Sequence, residues 1–318
     1  TPTTSAVSAT GIQVGSQSLF VEVRDNVVAS LSSALAGTVT GMSFLGVTNK
    51  LNVFRNKVYG LSGTDDTLTL SGMTISGGTL ANAYNNLIGI AGNTGFIANG
   101  SNTVIGLNIA GGTAVNAYFN SIYLNVNGNG AVNGSSGIYA SVTPLVCLNN
   151  NLVLNKCAAS GSLGKAVAYR RSTGVPGSPP ATTKYDATSN NNLWFAGAPD
   201  TMHVIYMDTL PNRQVTLADY KAFMTGREQA SQTGDASGDF ISVAGSNPGF
   251  LHISAGANTV VESGGSPVSG ITADYDGDTR SSSTPDIGAD EFTGITPAPV
   301  LSNLSITDRK STRLNSSH

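Results

Sequence analysis

Five acidic residues near the C-terminal end have the types and spacing of a cation site. Asp274, Asp276 and Asp278 alternate along the chain, and Asp286 and Asp290 follow soon after. Carboxylate oxygens are ligands that Ca²⁺ prefers, so these five side chains predict a calcium site. The EF-hand pattern is not met, because the glycine of this loop stands at position four instead of six. Calcium is therefore expected as an optional ligand, and no cofactor is required.

Arg280 offers a second interpretation of the same segment. A guanidinium presents parallel N–H donors that match the two oxygens of a carboxylate, so Arg280 is a candidate partner for Asp286 or Glu291. Such an ion pair would fix the C-terminal turn without any cation. The ion pair is the favoured interpretation, and both stay open at this point.

Catalytic chemistry has few candidates in this chain. A polysaccharide lyase needs a base that removes a proton beside a carboxylate neutralised by a cation. The candidates are Lys165, Arg170 and Arg171, with Asp186 as the acid that follows them along the chain. A glycoside hydrolase needs two carboxylates roughly 5 to 10 Å apart. Acids are scarce between positions 20 and 195, so this stretch does not favour such a pair.

An internal repeat predicts the elements that must position these residues. Six segments align on one asparagine with spacings of 30, 30, 34, 30 and 41 residues. The six aligned residues are Asn26, Asn56, Asn86, Asn120, Asn150 and Asn191. Between them lies a glycine ladder, Gly41, Gly72, Gly106 and Gly137, with spacings of 31, 34 and 31 residues. Because both ladders lengthen in the same place, they count the same repeating unit.

The period of the repeat determines the predicted fold. A unit of about 30 residues with short alternating strands cannot bury its own apolar face, so it must stack on its neighbours. A propeller needs blades of about 40 residues and a left-handed solenoid needs a six-residue period, and neither period is present. We therefore predict an all-β fold, a right-handed parallel β-helix with a short helix and a C-terminal capping segment.

The repeated asparagines are predicted to be structural. Stacked strands lie about 4.8 Å apart, so equivalent amides can donate to one coil and accept from the next. Asparagine also tolerates the left-handed backbone of a tight corner. The aromatic residues beside it, Phe54, Tyr84 and Tyr118, are expected to stack within or against the coils rather than to form a sugar platform.

The sequence after the coils predicts one helix and several boundaries. Thr216 is the predicted N-cap, Asp219 its reciprocal partner and Gly226 the stop, so the helix should lie over the side or the open end of the solenoid. Predicted coils occupy residues 1–200, and terminal coils, helix and cap occupy 201–293. A linker or the start of another domain follows at 294–307. Residues 308–318 resemble a translated sequencing adapter and are treated as a non-native tail.

The two acidic motifs resemble a known signature. Asp274-Tyr-Asp-Gly-Asp-Thr-Arg280 and Pro285-Asp-Ile-Gly-Ala-Asp-Glu-Phe292 are similar to the terminal signature of secreted bacterial pectin-lyase-like β-helix proteins. The resemblance implies that the motifs close the last coil. It also implies a secreted or cell-surface location and a longer multidomain chain, with signal peptide and sorting domain outside this sequence. We expect a monomer, with a polysaccharide or a host or cell-surface glycan as partner.

The composition narrows the function further. Only 11% of the residues are charged, against roughly 25% in ordinary domains, and the formal net charge is −3. Without a basic run or an apolar stretch of about 20 residues, nucleic-acid binding and a membrane span are not expected. Cys147 is assigned to the inward column of Val53 and Ala83, and pairing with Cys157 is left open. The predicted function is a non-enzymatic surface module serving as stalk, adhesin or glycan contact. The alternative is a polysaccharide lyase or glycoside hydrolase.

Overall fold

The computed structural model describes residues 7–16, 19–92, 95–172, 181–208 and 212–298. These residues form a parallel β-solenoid of about five turns, followed by one short helix. The predicted non-native tail and most of the predicted linker, 299–307, lie outside the described residues. The handedness of the coil stays a prediction.

Three parallel sheets run along the solenoid, with strands numbered in chain order. The first sheet contains β1 (Ala9–Gly15), β5 (Thr38–Leu45), β9 (Thr69–Ile75), β12 (Gly100–Ile109), β15 (Asn133–Ala140), β18 (Ala166–Arg171) and β20 (His203–Met207), with β21 (Arg213–Gln214) added antiparallel. The second contains β2 (Val21–Arg24), β6 (Lys50–Phe54), β10 (Leu80–Tyr84), β13 (Ala114–Tyr118) and β16 (Leu145–Asn149). The third contains β3 (Val27–Ala29), β7 (Lys57–Tyr59), β11 (Leu87–Ala91), β14 (Ser121–Asn125), β17 (Leu152–Asn155) and β19 (Leu193–Phe195). A minor pair joins β4 (Ser32–Ser33) to β8 (Ser62–Gly63).

Alternation along each strand places one face in the core. In β10, Ala81 and Ala83 are fully buried, whereas Asn82 and Tyr84 lie on the outer face. The glycine ladder belongs to the first sheet. A Cβ on Gly72 would lie 2.4 Å from Ile88 Cγ2 and 2.6 Å from the carbonyl oxygen of Gly106. Glycine is therefore required there because a larger residue would overlap the neighbouring coil.

A continuous column of amides runs through the corner between the second and third sheets. The column contains Asn26, Asn56, Asn86, Asn120, Asn151 and Asn192. From Asn26 to Asn151, each Nδ2 donates to the Oδ1 of the next coil at 2.9 to 3.1 Å, so these amides point the same way. These six corner residues enclose about five full turns, and we number the coils one to six by them.

Two positions of the predicted ladder were wrong by one residue. Asn151 and Asn192 occupy the column, and Asn150 and Asn191 precede them in the left-handed region, with φ of 59° and 56°. Asp25, Arg55, Asn85 and Phe119 hold the same left-handed place in earlier coils. The left-handed corner thus belongs to the residue before the ladder, and the ladder asparagine is needed for its hydrogen bonds.

The same one-residue error affected Cys147. Cys147 pairs with Asn116, so it belongs to the outward column of the second sheet, and Leu148 takes the inward place beside Ala117. The thiol is nevertheless buried, and it lies 3.4 Å from Thr188 Oγ1. Both Cys147 and Cys157 are free thiols.

The last coil is closed by the predicted helix, α1 (Leu217–Phe223). Thr216 is its N-cap, and Asp219 completes the reciprocal capping box. The ring of Tyr220 stacks on that of Tyr206 with centroids 5.1 Å apart, and Met224 is also fully buried in the main core. Among the described residues, no helix is long and apolar enough to span a membrane.

Glu228 ends the amide column inside the protein. Its fully buried carboxylate accepts hydrogen bonds from Asn192 Nδ2 at 3.2 Å and Trp194 Nε1 at 2.8 Å, and also from the Tyr185 hydroxyl. Aligned amide dipoles leave a partial positive charge at the donor end, as in a helix. A carboxylate at that end compensates the column, although burial raises the pKa of Glu228 above its usual range.

Residues 235–298, which we call the C-terminal strap, cover the outer side of the third sheet. In the second coil, Lys57 donates to the carbonyl of Asn247 at 3.1 Å. In the sixth, Asn191 donates to the carbonyl of Gly264 at 3.0 Å. Similar bonds reach the third, fourth and fifth coils. The strap therefore joins every coil from the second to the sixth.

The position of the two acidic motifs corrects an expectation. They lie within the strap, where Ala273 accepts from Asn85 and the Ala289 N–H donates to Ser121 Oγ. They therefore contact the third and fourth coils from the side, whereas the resemblance implied that they close the last coil. Closure is provided by α1 instead.

Candidate functional site

Asp274 organises the first acidic motif through backbone hydrogen bonds. Its Oδ1 accepts from the N–H groups of Asp276, Gly277 and Asp278 at 2.8 to 3.0 Å. Its Oδ2 accepts from the N–H of Glu291 at 2.9 Å. Both oxygens of this fully buried carboxylate therefore already have donors. Asp274 joins the two motifs together.

Arg280 forms the ion pair that the sequence favoured, with Glu291 as its partner. Nη1 lies 3.2 Å from Glu291 Oε2, and Nη2 donates to Asn85 Oδ1 and to the Gly288 carbonyl, each at 3.0 Å. The guanidinium carbon lies 4.0 Å from the centroid of the Phe119 ring. Desolvation lowers the pKa of Arg280, and the nearby Glu291 and Asp274 charges oppose that shift. The buried guanidinium thereby fastens the strap to the third and fourth coils.

The remaining predicted calcium ligands are not gathered at one point with Asp274. Asp286 accepts from the Ser263 N–H with one oxygen and from the Phe292 N–H with the other, at 2.6 and 2.8 Å. Asp290 accepts from the Ile253 N–H at 2.7 Å, whereas the side chains of Asp276 and Asp278 belong to exposed residues. Asp274 Oδ1 already accepts three backbone bonds, so a calcium ion at that oxygen would compete with them.

Asp286 gives the strap a pH dependence that can be measured. Burial raises the pKa of its carboxyl to about 7. An acid whose folded-state pKa is raised contributes stability that is complete below its unfolded pKa, near 3.9, and is lost as the pH rises to about 7. We expect the melting temperature to fall between pH 5 and pH 8, by an amount equivalent to at most about 3 kcal/mol.

The control for this prediction separates charge from lost hydrogen bonds. Asp286→Asn should lower the melting temperature at every pH, because an amide cannot accept from both N–H groups, and it should also flatten the slope between pH 5 and pH 8. Asp66→Asn, at an exposed position, should leave the slope unchanged. A slope equal to that of the parent in Asp286→Asn would contradict the assignment.

The catalytic candidates are divided between two sides of the first sheet. Arg170 lies beside Lys165: its Nη2 donates to the Lys165 carbonyl at 3.2 Å, and its Nε donates to Ser136 Oγ at 2.8 Å. Arg171 pairs with the core residue Ala140 and is itself buried. Its guanidinium donates to the carbonyl oxygens of Lys184 and Pro144 and to the Tyr169 hydroxyl.

The electrostatics of this group follow from burial. Desolvation lowers the pKa of Arg170 to about 10 and also lowers the pKa of Lys165, whose Nζ contacts Met202 Sδ at 3.1 Å. Asp186 binds the N–H and hydroxyl of Thr188 in a local turn. Among the hydrogen bonds of the described residues, only one joins two of the four candidates, and it links Arg170 to Lys165.

A second amide column on the outer face of the second sheet was missed by sequence reasoning. Asn82 Nδ2 donates to Asn52 Oδ1 and Asn116 Nδ2 to Asn82 Oδ1, each at 2.9 Å. The sequence did contain a pattern that predicts this column, because Asn52, Asn82 and Asn116 repeat with the spacing of the inner ladder. Beside them the rings of Phe54 and Tyr84 stack with centroids 4.6 Å apart and planes 6° apart. Each ring therefore covers one face of the other.

Comparison with known proteins found no matching family model, no matching curated protein and no matching solved structure. The parallel β-solenoid is thus established by its own strand pairing. The pectin-lyase-like assignment and its terminal signature stay a prediction from the two motifs.

Proposed function

We propose that this chain is a non-enzymatic stalk module of a secreted or cell-surface protein. A stalk must keep its length and direction under load, so its coils must not peel away one at a time. In a solenoid each coil contacts only its neighbours, which makes peeling from an end the natural route of failure. A stalk therefore benefits from a device that links distant coils.

The strap is the observation that carries this proposal. It is anchored at the second coil through Lys57 and at the sixth through Asn191, with Arg280 fixed on the coils between. To separate one coil, these lateral contacts must break together with the bonds to the adjacent coils. Three buried ionisable residues, Glu228, Asp274 and Arg171, form hydrogen bonds within the protein. Such bonds support a structural role for these side chains.

Single-molecule stretching from the two chain ends tests the proposal. One coil of about 30 residues releases roughly 100 Å when extended. We expect the coils from the second to the sixth to yield in one large step at high force. Arg280→Ala should lower that force, whereas Arg24→Ala, at an exposed ion pair, should not. A sawtooth of single-coil steps at low force in the parent would overturn the stalk proposal.

Glycan contact is a second candidate function, supported by the outer amide column. Each bond of that column uses only one of the two N–H groups of an amide, so the column retains donors for sugar hydroxyls. A glycan array should then show binding by the parent that Asn82→Ala and Asn116→Ala reduce. Glycan binding that survives both substitutions would show that the outer amide column is not the binding surface.

A polysaccharide lyase or hydrolase remains the enzymatic alternative, with Arg170 and Lys165 as the grouped candidates. We expect no depolymerisation of acidic or neutral polysaccharides, measured by release of unsaturated products and reducing ends. Activity that Arg170→Ala abolishes, in a variant that keeps the melting temperature of the parent, would overturn the non-enzymatic assignment.

A further inference from the structure

Three potential metal ligands from separate parts of the strap meet near its surface. They are His252, Asp276 and Asp290, and one ligand atom from each lies within 4.8 Å of the other two. Only Asp276 and Asp290 belong to the five carboxylates from which calcium was predicted. The histidine changes the chemistry of the site, because it adds a nitrogen donor to two oxygens.

The hydrogen bonds of His252 orient its ring toward the carboxylate of Asp276. Nδ1 lies 3.0 Å from the carbonyl oxygen of Phe250, which can only accept, so this nitrogen carries a proton. Nε2 lies 2.7 Å from Asp276 Oδ2. A ring nitrogen and a carboxylate oxygen, both metal-binding atoms, therefore lie side by side. A carbonyl bound to Nδ1–H is also the usual way in which proteins orient a metal-binding histidine.

Asp290 supplies a buried carboxylate with one oxygen left over. The residue is only 8% exposed, and Oδ2 accepts from the Ile253 N–H at 2.7 Å. No described hydrogen bond reaches Oδ1, so this oxygen retains its acceptor capacity within the described part of the chain. Oδ1 is not among the buried polar atoms that lack a partner, so it keeps some exposure and a cation can reach it from solvent.

The surroundings hold the three ligands in place. The loop of Asp276 is fixed by the backbone bonds to Asp274, and the Tyr275 ring packs edge-on against His252 with centroids 5.7 Å apart. The His252 side chain is 12% exposed, whereas that of Asp276 is 50% exposed, so the site opens to solvent on one side. Preorganised ligands with an open side suit a metal ion that keeps one or more water molecules.

The geometry points to a site for a divalent transition metal of the Zn²⁺ class, bound by His252 Nε2 and by the carboxylates of Asp276 and Asp290. Zinc takes nitrogen at about 2.0 Å and carboxylate oxygen at about 2.1 Å, so tetrahedral ligands lie about 3.3 Å apart. Asp276 would therefore move back from His252 by about half an ångström, which its exposed side chain permits. Calcium prefers six to eight oxygens and fits this set less well. A bound metal would tie three parts of the strap together.

Titration of metal-free protein with Zn²⁺ tests the site. Protein stripped with EDTA should bind one equivalent by calorimetry and gain several degrees in melting temperature at saturation. Co²⁺ should give a visible spectrum typical of low coordination. His252→Ala and Asp276→Asn should each weaken zinc binding at least 100-fold. The Asp276 side chain is exposed, so Asp276→Asn should keep the fold, and its loss of binding then reports on the site itself.

His203→Ala is the matched control. His203 Nδ1 also contacts an aspartate, Asp200 at 2.9 Å, but it belongs to no three-ligand group among the described residues. Zinc binding should be unchanged in this variant, and the third histidine, His318, is present in every variant alike. The proposal would be overturned by absence of saturable zinc binding in the parent, by equal loss in His203→Ala, or by a site that binds Ca²⁺ but not Zn²⁺.

Discussion

Replacement of Asn86 by alanine should lower the free energy of unfolding by about 3 to 5 kcal/mol. The Asn86 side chain is fully buried, and its Oδ1 accepts from the backbone N–H and the Nδ2 of Asn56, each at 3.1 Å. Its Nδ2 donates to the Val53 carbonyl at 3.0 Å and to Asn120 Oδ1 at 2.9 Å. Alanine removes all four bonds and leaves buried polar groups without their partners.

The same strand provides the control for this prediction. Asn82 also has amide bonds to the coils on both sides, but it lies on the outer face, where water can replace them. Asn82→Ala should therefore cost less than about 1 kcal/mol, measured by urea unfolding beside Asn86→Ala. Equal losses of unfolding free energy in the two variants would show that burial does not increase the contribution of the inner column to stability.

Replacement of Arg280 by alanine is expected to release the strap. Removal of one partner from a buried ion pair costs about 3 to 5 kcal/mol, because the other charge stays buried without compensation. Here Asn85 Oδ1 and the Gly288 carbonyl lose the Arg280 donor, and the guanidinium no longer lies over Phe119. Glu291 loses its cation and keeps only the bonds from two backbone N–H groups. Limited proteolysis should cut the strap faster than in the parent, before the solenoid itself is degraded.

Arg24 is the matched control because its contacts are similar and its exposure is different. Its guanidinium carbon lies 6.0 Å from the Phe54 ring centroid, and it pairs with Glu22 and Asp25, but half of the side chain is exposed. Solvent screens exposed ion pairs, so Arg24→Ala should leave stability and proteolysis nearly unchanged. An Arg280→Ala variant as resistant as Arg24→Ala would show that Arg280 does not fasten the strap.

The repeat predicted the solenoid because period and alternation are local properties of the sequence. The helix was also predictable, since Thr216 and Asp219 form a capping box within four residues. The register of the fifth coil was not. Three consecutive asparagines, Asn149, Asn150 and Asn151, offer three alignments, and a shift of one residue exchanges the inner and outer faces of a strand. Only contact with Asn120 decides among them.

The path of the strap and the end of the amide column could not be predicted for a different reason. The strap has little alternation, and its fastening bond joins Arg280 to Asn85, 195 residues away in the chain. Such contacts leave no local pattern. Glu228 lies outside the asparagine repeat, so nothing in its neighbourhood marked it as the terminal acceptor of the column. The acidic motifs were recognised, but the bonds that occupy Asp274 depend on its folded loop.

Native-state hydrogen–deuterium exchange tests most directly whether the strap and the solenoid form one cooperative structure. If the strap holds coils two to six together, peptides from residues 235–298 and from the third sheet should exchange with similar protection in the parent, through one shared opening. In Arg280→Ala, strap peptides should exchange much faster than third-sheet peptides. Strap peptides that already exchange orders of magnitude faster than the third sheet in the parent would contradict this account.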